Sequence, residues 1–287
     1  MKIGLGTVQF GLAYGVSNSA GRTPPAEVSK ILRLAGDEGI ELVDTASAYG
    51  DSEEALGEAG VSGFRVVTKT PGSGAARLDP DRLERTLTES LDKLRLPAVY
   101  GLLGHNADDL IGRGGEQLMA RMQALRAAGL VEKIGASVYN GAQIDVLLDR
   151  CDFDLIQVPF SLLDQRLLHS GHLARLKRRG VEIHARSVFL QGLLLMAPGA
   201  LAPFFAPVRA HLQACRDRLD ALGVSPLEAA LSFIRGVGEI DVALCGVNDC
   251  AQLRQICAAT NGAGVLDTAA SYALGEEMFL NPANWER

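Results

Sequence analysis

The order of apolar and polar residues along the chain divides it into two kinds of segment. Short apolar runs rich in β-branched residues alternate with longer segments in which apolar residues recur every three or four positions. Gly, Pro, Asp or Asn stands at most of the junctions, as is typical of turns. The short runs predict eight β-strands: KIGLG at 2, IELVDT at 40, FRVVTKT at 64, VYGLLGH at 99, KIGASV at 133, FDLIQV at 153, VEIHARS at 181 and IDVALCG at 240.

The longer segments between the strands predict α-helices. In DPDRLERTLTESLDKLRL, Asp79 is placed to cap the first turn. Leucines at every third or fourth position then form one apolar face of this helix, namely Leu83, Leu87, Leu91 and Leu94. Other predicted helices are PAEVSKILRLAGDEG, GGEQLMARMQALRAAG and LLHSGHLARLKRRG.

Strands that are each followed by a helix predict the α/β class and a single (β/α)8 TIM barrel spanning residues 1–287. A chain of 287 residues is slightly longer than the roughly 250 residues usual for this fold. The rival architecture is an open doubly wound sheet, which would carry a G-x-G-x-x-G fingerprint after its first strand. GLGTVQFG begins this pattern with Gly4 and Gly6 but has Gln9 where the third glycine belongs. The barrel is therefore the better prediction.

Composition and charge narrow the class of protein. The chain is 47% hydrophobic and 22% charged, which is ordinary for a soluble enzyme. Its net charge is −6 with dispersed charges, so no basic stripe is available for nucleic acid. The most apolar stretch, 192–208, contains three prolines and is shorter than the roughly 20 residues of a membrane span. We interpret it as a covering loop and expect no membrane partner.

The start of the chain, the cysteines and the histidines bear on cellular location, disulfide bonds and metal binding. After Met1 and Lys2 the chain enters a Gly-rich segment that lacks the apolar core of a secretory signal, so we expect a cytoplasmic protein. Its five cysteines, without a C-x-x-C, favour reduced thiols over a disulfide framework. His169 and His172 have no Cys or carboxylate partner nearby in the sequence, so we assign no metal.

Polar residues at the carboxyl ends of the predicted strands are the candidates for chemistry, because barrel active sites lie at that face. Asp44, Lys69 and His105 close the second, third and fourth strands, and Tyr49 follows on the loop after Asp44. A free phenol has a pKa of about 10, and an adjacent ammonium favours its phenolate form. Lys69 supplies such an ammonium, and Asp44 would keep that ammonium charged. His105 would orient a carbonyl oxygen, so the set forms a proton donor for the oxyanion that arises when a group adds to a carbonyl, or a proton acceptor in the reverse direction.

A second Asp and Tyr with the same spacing stand near the end of the chain. Asp267 and Tyr272 repeat the D-T-A-x-x-Y pattern of Asp44 and Tyr49, but they follow the eighth strand and no lysine comes after them. We therefore expect Asp267 to cap a helix and Tyr272 to pack a C-terminal helix.

Several stretches carry a resemblance to a known family: GLGTVQFG at 4, DTASAYGDSE at 44, VVTK at 66, LLGHNADDL at 102, KIGAS at 133, LIQVPF at 155 and ARSVFLQGLL at 185. In these stretches the sequence resembles the aldo-keto reductases almost from end to end. The resemblance implies a (β/α)8 barrel that binds NADPH, or less often NADH, and transfers hydride to an aldehyde or ketone. It also implies that the catalytic residues are Asp44, Tyr49, Lys69 and His105.

The same resemblance implies where the cofactor binds. Ser137 and Gln157 would meet the carboxamide of the nicotinamide, and the cofactor-binding set would be Thr7, Asp44, Ser137, Gln157, Arg186, Ser187, Gly246 and Asn248. The chain departs from the family where Val138 replaces Asn, which leaves Asn140 as a substitute, and where Arg186 replaces a stacking aromatic residue. We expect Arg186 to alter the redox balance or to reach the pyrophosphate.

A further departure concerns the adenosine end of the cofactor. Asn248 stands where many members have Lys or Arg for the 2′-phosphate, Ile256 stands where they have Asn, and Arg254 lies one helical step away. The preference between NADPH and NADH therefore stays open.

The function stays open between three classes at this point. The first is an NAD(P)-dependent carbonyl reductase or alcohol dehydrogenase that acts on a small-molecule carbonyl or sugar-like substrate. The second is a cofactor-binding barrel with a sensing role and little turnover, and the third is a hydrolase or lyase without nicotinamide. Substrate specificity would reside in 17–24, around Phe204 and Phe205, and in the tail with Phe279 and Trp285. We expect a monomer or a small homo-oligomer.

Overall fold

The strands of the computed structural model, which describes residues 1–72, 79–260 and 269–285, form one closed barrel. All eight strands are parallel and neighbour one another in sequence order, and the last pairs with the first. Every predicted strand is confirmed, and the fifth begins two residues earlier than the sequence indicated. Their bounds are β1 Lys2–Gly6, β2 Leu42–Asp44, β3 Arg65–Lys69, β4 Val99–Gly104, β5 Val131–Ser137, β6 Leu155–Pro159, β7 Glu182–Arg186 and β8 Val242–Gly246.

Helices follow the strands and form the outer layer. The α-helices of the described residues are α1 Val8–Gly11, α2 Pro25–Asp37, α3 Ser52–Ala59, α4 Pro80–Leu94, α5 Ala107–Ile111, α6 Gly115–Ala127, α7 Gly141–Arg150, α8 Arg166–His169, α9 His172–Arg178, α10 Arg209–Leu222, α11 Pro226–Arg235, α12 Cys250–Thr260 and α13 Glu277–Leu280. Short 3₁₀ helices span Leu190–Leu195, Pro198–Ala200, Pro203–Val208, Ala269–Tyr272 and Pro282–Asn284. The (β/α)8 TIM barrel is confirmed.

The sequence pattern accounts well for α4. The Asp79 carboxylate accepts a hydrogen bond of 2.8 Å from the backbone N–H of Arg82, which satisfies one of the free donors at the helix start. Its four leucines, spaced by three or four residues, are all buried against the barrel. The helix ends at Arg95, whose φ of 56° is left-handed. The predicted cap and apolar face are therefore both present.

Two segments differ from the sequence prediction. LLHSGHLARLKRRG forms two short helices, α8 and α9, because the chain turns at Gly171 with φ of 75°, which glycine adopts without strain. The stretch 192–208 forms 3₁₀ turns that pack inward through Leu193, Leu201 and Phe205. It therefore belongs to the core of the molecule and is not a simple covering loop.

The barrel interior is apolar in its middle and polar at both ends. Side chains from five strands meet there in one buried cluster, made of Leu42, Val67, Tyr100, Leu103, Leu155, Val242 and Leu244. A larger apolar core lies between strands and helices. In the part of the chain that the structure describes, no helix has both the length and the apolar character needed to cross a bilayer.

Candidate active site

Strand register brings the predicted catalytic side chains to one rim of the barrel. Asp44 ends β2 opposite Gly6 of β1, and Lys69 ends β3 opposite Leu103 of β4. His105 follows β4 directly, so its side chain leaves the barrel beside that of Lys69. Parallel strands end at the same face, which explains why residues distant in sequence become neighbours.

Asp44 and Lys69 form a buried ion pair. The Lys69 ammonium donates to both Asp44 carboxylate oxygens, at 2.8 and 2.7 Å, and to the backbone oxygen of Thr45 at 2.9 Å. The two residues are 4% and 1% exposed. Burial alone would lower the pKa of Lys69, but the Asp44 carboxylate and the Tyr49 side chain outweigh it and hold that pKa above its usual value. Lys69 is therefore a fixed positive charge at neutral pH.

Tyr49 lies against this charge. The Lys69 nitrogen is 5.0 Å from the centroid of the Tyr49 ring and interacts with its side-chain oxygen. The Tyr49 ring also meets the His105 imidazole edge-on, with centroids 5.7 Å apart. The loop that carries Tyr49 touches α1 closely, because a Cβ added at Gly11 would lie 1.7 Å from the Tyr49 backbone oxygen. Gly11 thus permits the approach that places the phenol.

His105 is a neutral imidazole. Burial and then the nearby charge of Lys69 lower the pKa of His105 from 6.5 to about 4. Its Nδ1 atom is buried without a hydrogen-bond partner among the described residues, and its backbone N–H donates to the Thr70 hydroxyl at 3.1 Å. The ring can therefore offer hydrogen bonds to a bound molecule without adding charge.

These side chains open into a cavity of about 480 Å³, within the range of small-molecule and cofactor sites. All of the predicted catalytic and cofactor-binding residues line it: Thr7, Asp44, Tyr49, Lys69, His105, Ser137, Gln157, Arg186, Ser187, Gly246 and Asn248. The loops after β7 and β8 form part of its wall, and barrel enzymes often bind phosphate groups there. Sequence reasoning therefore identified residues that the fold brings together.

Two of the predicted cofactor contacts also hold Asp44 in place. The Gln157 side-chain amide donates to Asp44 Oδ1 at 2.7 Å. The Thr7 hydroxyl donates to the Asp44 backbone oxygen at 2.9 Å and contacts the Ser52 hydroxyl. Ser137, which is 3% exposed, pairs with Gln157 in the register of β5 and β6. These hydrogen bonds therefore fix the position of Asp44 at the floor of the site.

Arg186 is positioned by its neighbours after β5. Its guanidinium carbon lies 4.5 Å from the centroid of the Tyr139 ring, and its Nη2 donates to the Val138 backbone oxygen at 2.9 Å. Within the described ranges, no carboxylate forms an ion pair with Arg186. Asn140, considered as a substitute amide contact, caps α7 by accepting from the Gln143 N–H at 3.0 Å and does not line the cavity.

The end of the cavity beside β8 and α12 is lined by neutral side chains. Asn248, Gln252, Gln255 and Ile256 face it. The Asn248 backbone N–H donates to Gln252 Oε1 at 2.8 Å, while Asn248 Oδ1 is buried without a partner among the described residues. Arg254 is exposed and does not line the cavity.

Sequence reasoning missed several lining residues, among them Tyr14, Tyr139 and Gln191. Gln191 donates to the Tyr14 hydroxyl at 2.9 Å and so joins the loops after β1 and β7. Burial is the main cause that raises the pKa of Tyr14, so this phenol stays protonated. Tyr139 comes two residues after Ser137, the last residue of β5, and this position just after a strand end could have identified it as a site residue. The contact between Tyr14 and Gln191 left no signal in the sequence.

Tyr272, the tyrosine of the second Asp and Tyr pair, lies apart from the site. Tyr272 is completely buried in the core and does not line the cavity, and its hydroxyl has no partner among the described residues. Asp267 lies outside the described residues.

Of the predicted specificity residues, those after β1 reach the cavity, whereas Phe204, Phe205, Phe279 and Trp285 do not line it. Ser17 and Asn18 line it. The aromatic residues pack on one another instead, with Phe204 and Phe279 centroids 5.4 Å apart and Phe205 and Trp285 centroids 5.0 Å apart. These rings anchor the tail to the 3₁₀ segments.

The described residues show no group of three or more His, Cys, Asp or Glu side chains placed to hold a metal ion. All five cysteines are free thiols, and two of them are buried.

Comparisons with known proteins agree with this geometry. The model of the Aldo/keto reductase family matches residues 2–276. The aldo-keto reductase YhdN of Bacillus subtilis (strain 168) is 29% identical over 181 residues, a match that covers 59% of this chain and 53% of that protein. The alignment thus spans about half the length of that relative.

Two solved structures have the same fold. The holo form of aldo-keto reductase AKR11C1 from Bacillus halodurans superimposes with a TM-score of 0.77 at 17% identity, covering 98% of this chain and 92% of the other. The glycerol dehydrogenase AKR11B4 from Gluconobacter oxydans gives a TM-score of 0.76 at 23% identity, covering 93% and 88%. At these identities the likeness establishes the fold alone.

Proposed function

Because the chain belongs to the aldo/keto reductase family, we propose that it is an NAD(P)-dependent oxidoreductase that reduces an aldehyde or ketone to an alcohol, or catalyses the reverse reaction. The observation that carries this proposal is the Tyr49 phenol held beside the Lys69 ammonium, which is itself paired with Asp44. This arrangement suits the transfer of one proton to a carbonyl oxygen.

The lining of the cavity supports a nicotinamide cofactor. Gln9 Oε1, His105 Nδ1 and Asn248 Oδ1 are buried polar atoms of the cavity lining without partners among the described residues, and buried polar atoms of this kind require a hydrogen-bond partner. Residues at the ends of β5, β6, β7 and β8 would hold NADPH or NADH: Ser137, Gln157, Arg186, Ser187, Gly246 and Asn248. When bound, the reduced nicotinamide supplies the hydride.

In the reduction, Tyr49 gives its proton to the carbonyl oxygen while the carbonyl carbon gains the hydride with its electron pair. The product is a neutral alcohol. The Lys69 ammonium stabilises the phenolate left on Tyr49, and Asp44 keeps the ammonium protonated in its buried position. The phenolate regains a proton from solvent before the next turnover, and the reverse reaction uses it as the base.

His105 and the mouth of the cavity would orient the substrate. A neutral His105 can donate one ring N–H to the carbonyl oxygen, which stabilises the charge that develops there. Ser17, Asn18, Tyr14 and Gln191 present hydroxyl and amide groups nearby. These groups suit a hydroxylated, sugar-like carbonyl compound.

Substitution of the two tyrosines tests the role of Tyr49. We expect Tyr49→Phe to abolish NAD(P)H-dependent reduction of a panel of aldehydes, ketones and aldoses, because the proton donor is lost. Tyr272→Phe should keep most of the activity, because Tyr272 is buried outside the cavity. Steady-state rates of nicotinamide oxidation measure both. Comparable losses in the two variants would contradict the assignment.

Fluorescence titration with NADPH and NADH separates the proposed enzyme from its alternatives. Binding together with turnover supports the reductase. Tight binding without turnover across the panel would instead favour a cofactor-sensing barrel, and no binding of either nucleotide would contradict the nicotinamide chemistry as a whole.

A further inference from the structure

The first turn of α12 borders the cavity, and two of its free N–H groups already donate to carboxylates of the chain. The Cys250 N–H donates to Glu27 Oε1 of α2 at 3.1 Å, and the Gln252 N–H donates to Asp249 Oδ1 at 2.8 Å. The hydrogen bond from Cys250 lowers the pKa of the Glu27 carboxyl, which is therefore ionised at neutral pH. Asn248 and Gln252, which line the cavity, flank the contact between Cys250 and Glu27.

A phosphate group would ordinarily bind at such a place. Helix N-termini attract anions, and the loops after strands seven and eight of barrels often bind phosphate. In this chain the same N–H groups are satisfied internally, and a phosphate approaching them would meet the negative charges of Glu27 and Asp249. The negative charges of a phosphate and of these carboxylates repel one another.

The basic residues nearby do not offset this charge from within the cavity lining. Lys30 pairs with Glu27 at 3.1 Å but is 64% exposed, so the pair is well screened by water. Arg22 forms an ion pair with Asp51, and Arg254 is exposed. Among the described lining residues, the cations are Lys69 and Arg186, which lie at the ends of β3 and β7.

The side chains that do face this end of the cavity suit a hydroxyl group. Asn248, Gln252 and Gln255 present amides, which donate to and accept from a ribose hydroxyl. The Asn248 Oδ1 atom is buried without a partner among the described residues and would accept from such a hydroxyl.

We propose that Glu27 is a specificity-determining residue that disfavours the 2′-phosphate of NADPH, so that the site prefers NADH. This inference rests on the proposed nicotinamide-dependent function. Glu27 acts through its charge beside the helix start, with Asp249 as a second contributor.

The test compares nucleotide binding by the wild type and Glu27→Gln. Glutamine keeps an oxygen that accepts from the Cys250 N–H but removes the charge. We expect the wild type to bind NADH about tenfold more tightly than NADPH, and Glu27→Gln to bind NADPH about tenfold more tightly than the wild type does, with the NADH dissociation constant changed less than about twofold. Quenching of nucleotide fluorescence in equilibrium titrations gives both constants without turnover.

Glu41→Gln is the matched control, because Glu41 pairs with Lys2 and Arg65 at the opposite end of the barrel and should leave both constants unchanged. Thermal unfolding by circular dichroism verifies that each variant is folded. Wild-type titrations at about 0.05 M and about 0.5 M NaCl give a second readout, since salt screens the repulsion and should narrow the difference between the nucleotides.

The outcomes separate this inference from the function on which it rests. The role of Glu27 alone would be overturned if the wild type bound both nucleotides but favoured NADPH. It would also be overturned if Glu27→Gln kept the wild-type ratio of the NADPH and NADH dissociation constants. Failure of both nucleotides to bind would overturn the proposed function and this inference with it.

Discussion

At the scale of single residues, the site depends on which groups keep a charge after burial. Asp44 is 4% exposed and accepts hydrogen bonds from Lys69 and Gln157, which compensate for its burial. Lys69 stays protonated because of that carboxylate, whereas His105 is neutral because burial and then the nearby charge of Lys69 lower its pKa to about 4. One anion, one cation and one neutral ring therefore surround the phenol of Tyr49.

The lowered pKa of His105 predicts a pH dependence of stability. The unfolded chain protonates this residue below a pH of about 6.5, but the folded chain does so only near its pKa of about 4. Acidification through this window thus favours the unfolded state. Between pH 7 and about 4.5, the wild type should lose about 2 kcal/mol of unfolding free energy relative to His105→Asn.

Urea denaturation at several pH values measures this difference. His169→Asn is the control, because His169 is exposed outside the cavity. A constant difference between the wild type and His105→Asn across the pH range would show that His105 does not titrate differently in the two states.

At the scale of elements, the site is formed by loops that contact one another at the carboxyl ends of the strands. The loop after β7 contains three non-glycine residues with positive φ, namely Ser187, Leu190 and Gln191. Such conformations persist where surrounding contacts hold them. Here Gln191 bonds to Tyr14 and accepts from the Ser17 hydroxyl at 3.4 Å. The contact between the loops after β1 and β7 therefore shapes the wall of the cavity that Tyr14, Ser17 and Gln191 line.

Gly11 of α1 offers a test of such packing. A methyl group at Gly11 would lie 1.7 Å from the Tyr49 backbone oxygen and 2.6 Å from the Ser52 nitrogen, so Gly11→Ala must displace the loop that carries Tyr49. We expect kcat for carbonyl reduction to fall by about tenfold or more, because small displacements of catalytic groups are costly. Nucleotide affinity should change much less.

Gly63→Ala is the matched control, since a Cβ there would have no heavy atom within 4 Å. Equal kcat values for Gly11→Ala and the wild type would show that this contact does not position Tyr49.

At the scale of the whole molecule, the first and last strands of the chain pair with each other and close the barrel. β1 pairs with β8 over five residues, and the tail packs its sole tryptophan, Trp285, against Phe205. The main apolar core runs from Leu5 of β1 to Trp285. Neither half of the chain has a complete sheet without the other, which is consistent with the predicted single domain.

This closure predicts one cooperative unfolding transition. Trp285 is 7% exposed, so its fluorescence reports on the tail, while far-ultraviolet circular dichroism reports on the helices and strands. We expect the two signals to change at the same guanidinium concentration, because tail and barrel share one core. A tryptophan transition at a clearly lower concentration would show that the tail unfolds as a separate unit.

The local pattern of the sequence was enough to predict the strands, several helices and the catalytic candidates. Apolar runs, helical spacing and turn residues act over a few positions, and Asp44, Lys69 and His105 each stand at or just after the end of a strand. Because parallel strands all end at one face, the order of elements by itself indicated that these residues meet. The split between α8 and α9 was missed because Ser170 and Gly171 are a weak local signal.

Only the tertiary structure decided how the remaining side chains are used. Gln157 bonds to Asp44 across 113 positions, Gln191 to Tyr14 across 177 and Glu27 to the Cys250 backbone across 223. Arg186, considered for the cofactor, stacks on Tyr139. These contacts depend on loop conformation and on the distance between elements, which no local periodicity encodes. The local sequence pattern therefore determined which side chains stand at the strand ends, and only the tertiary structure decided which loop and helix residues contact them.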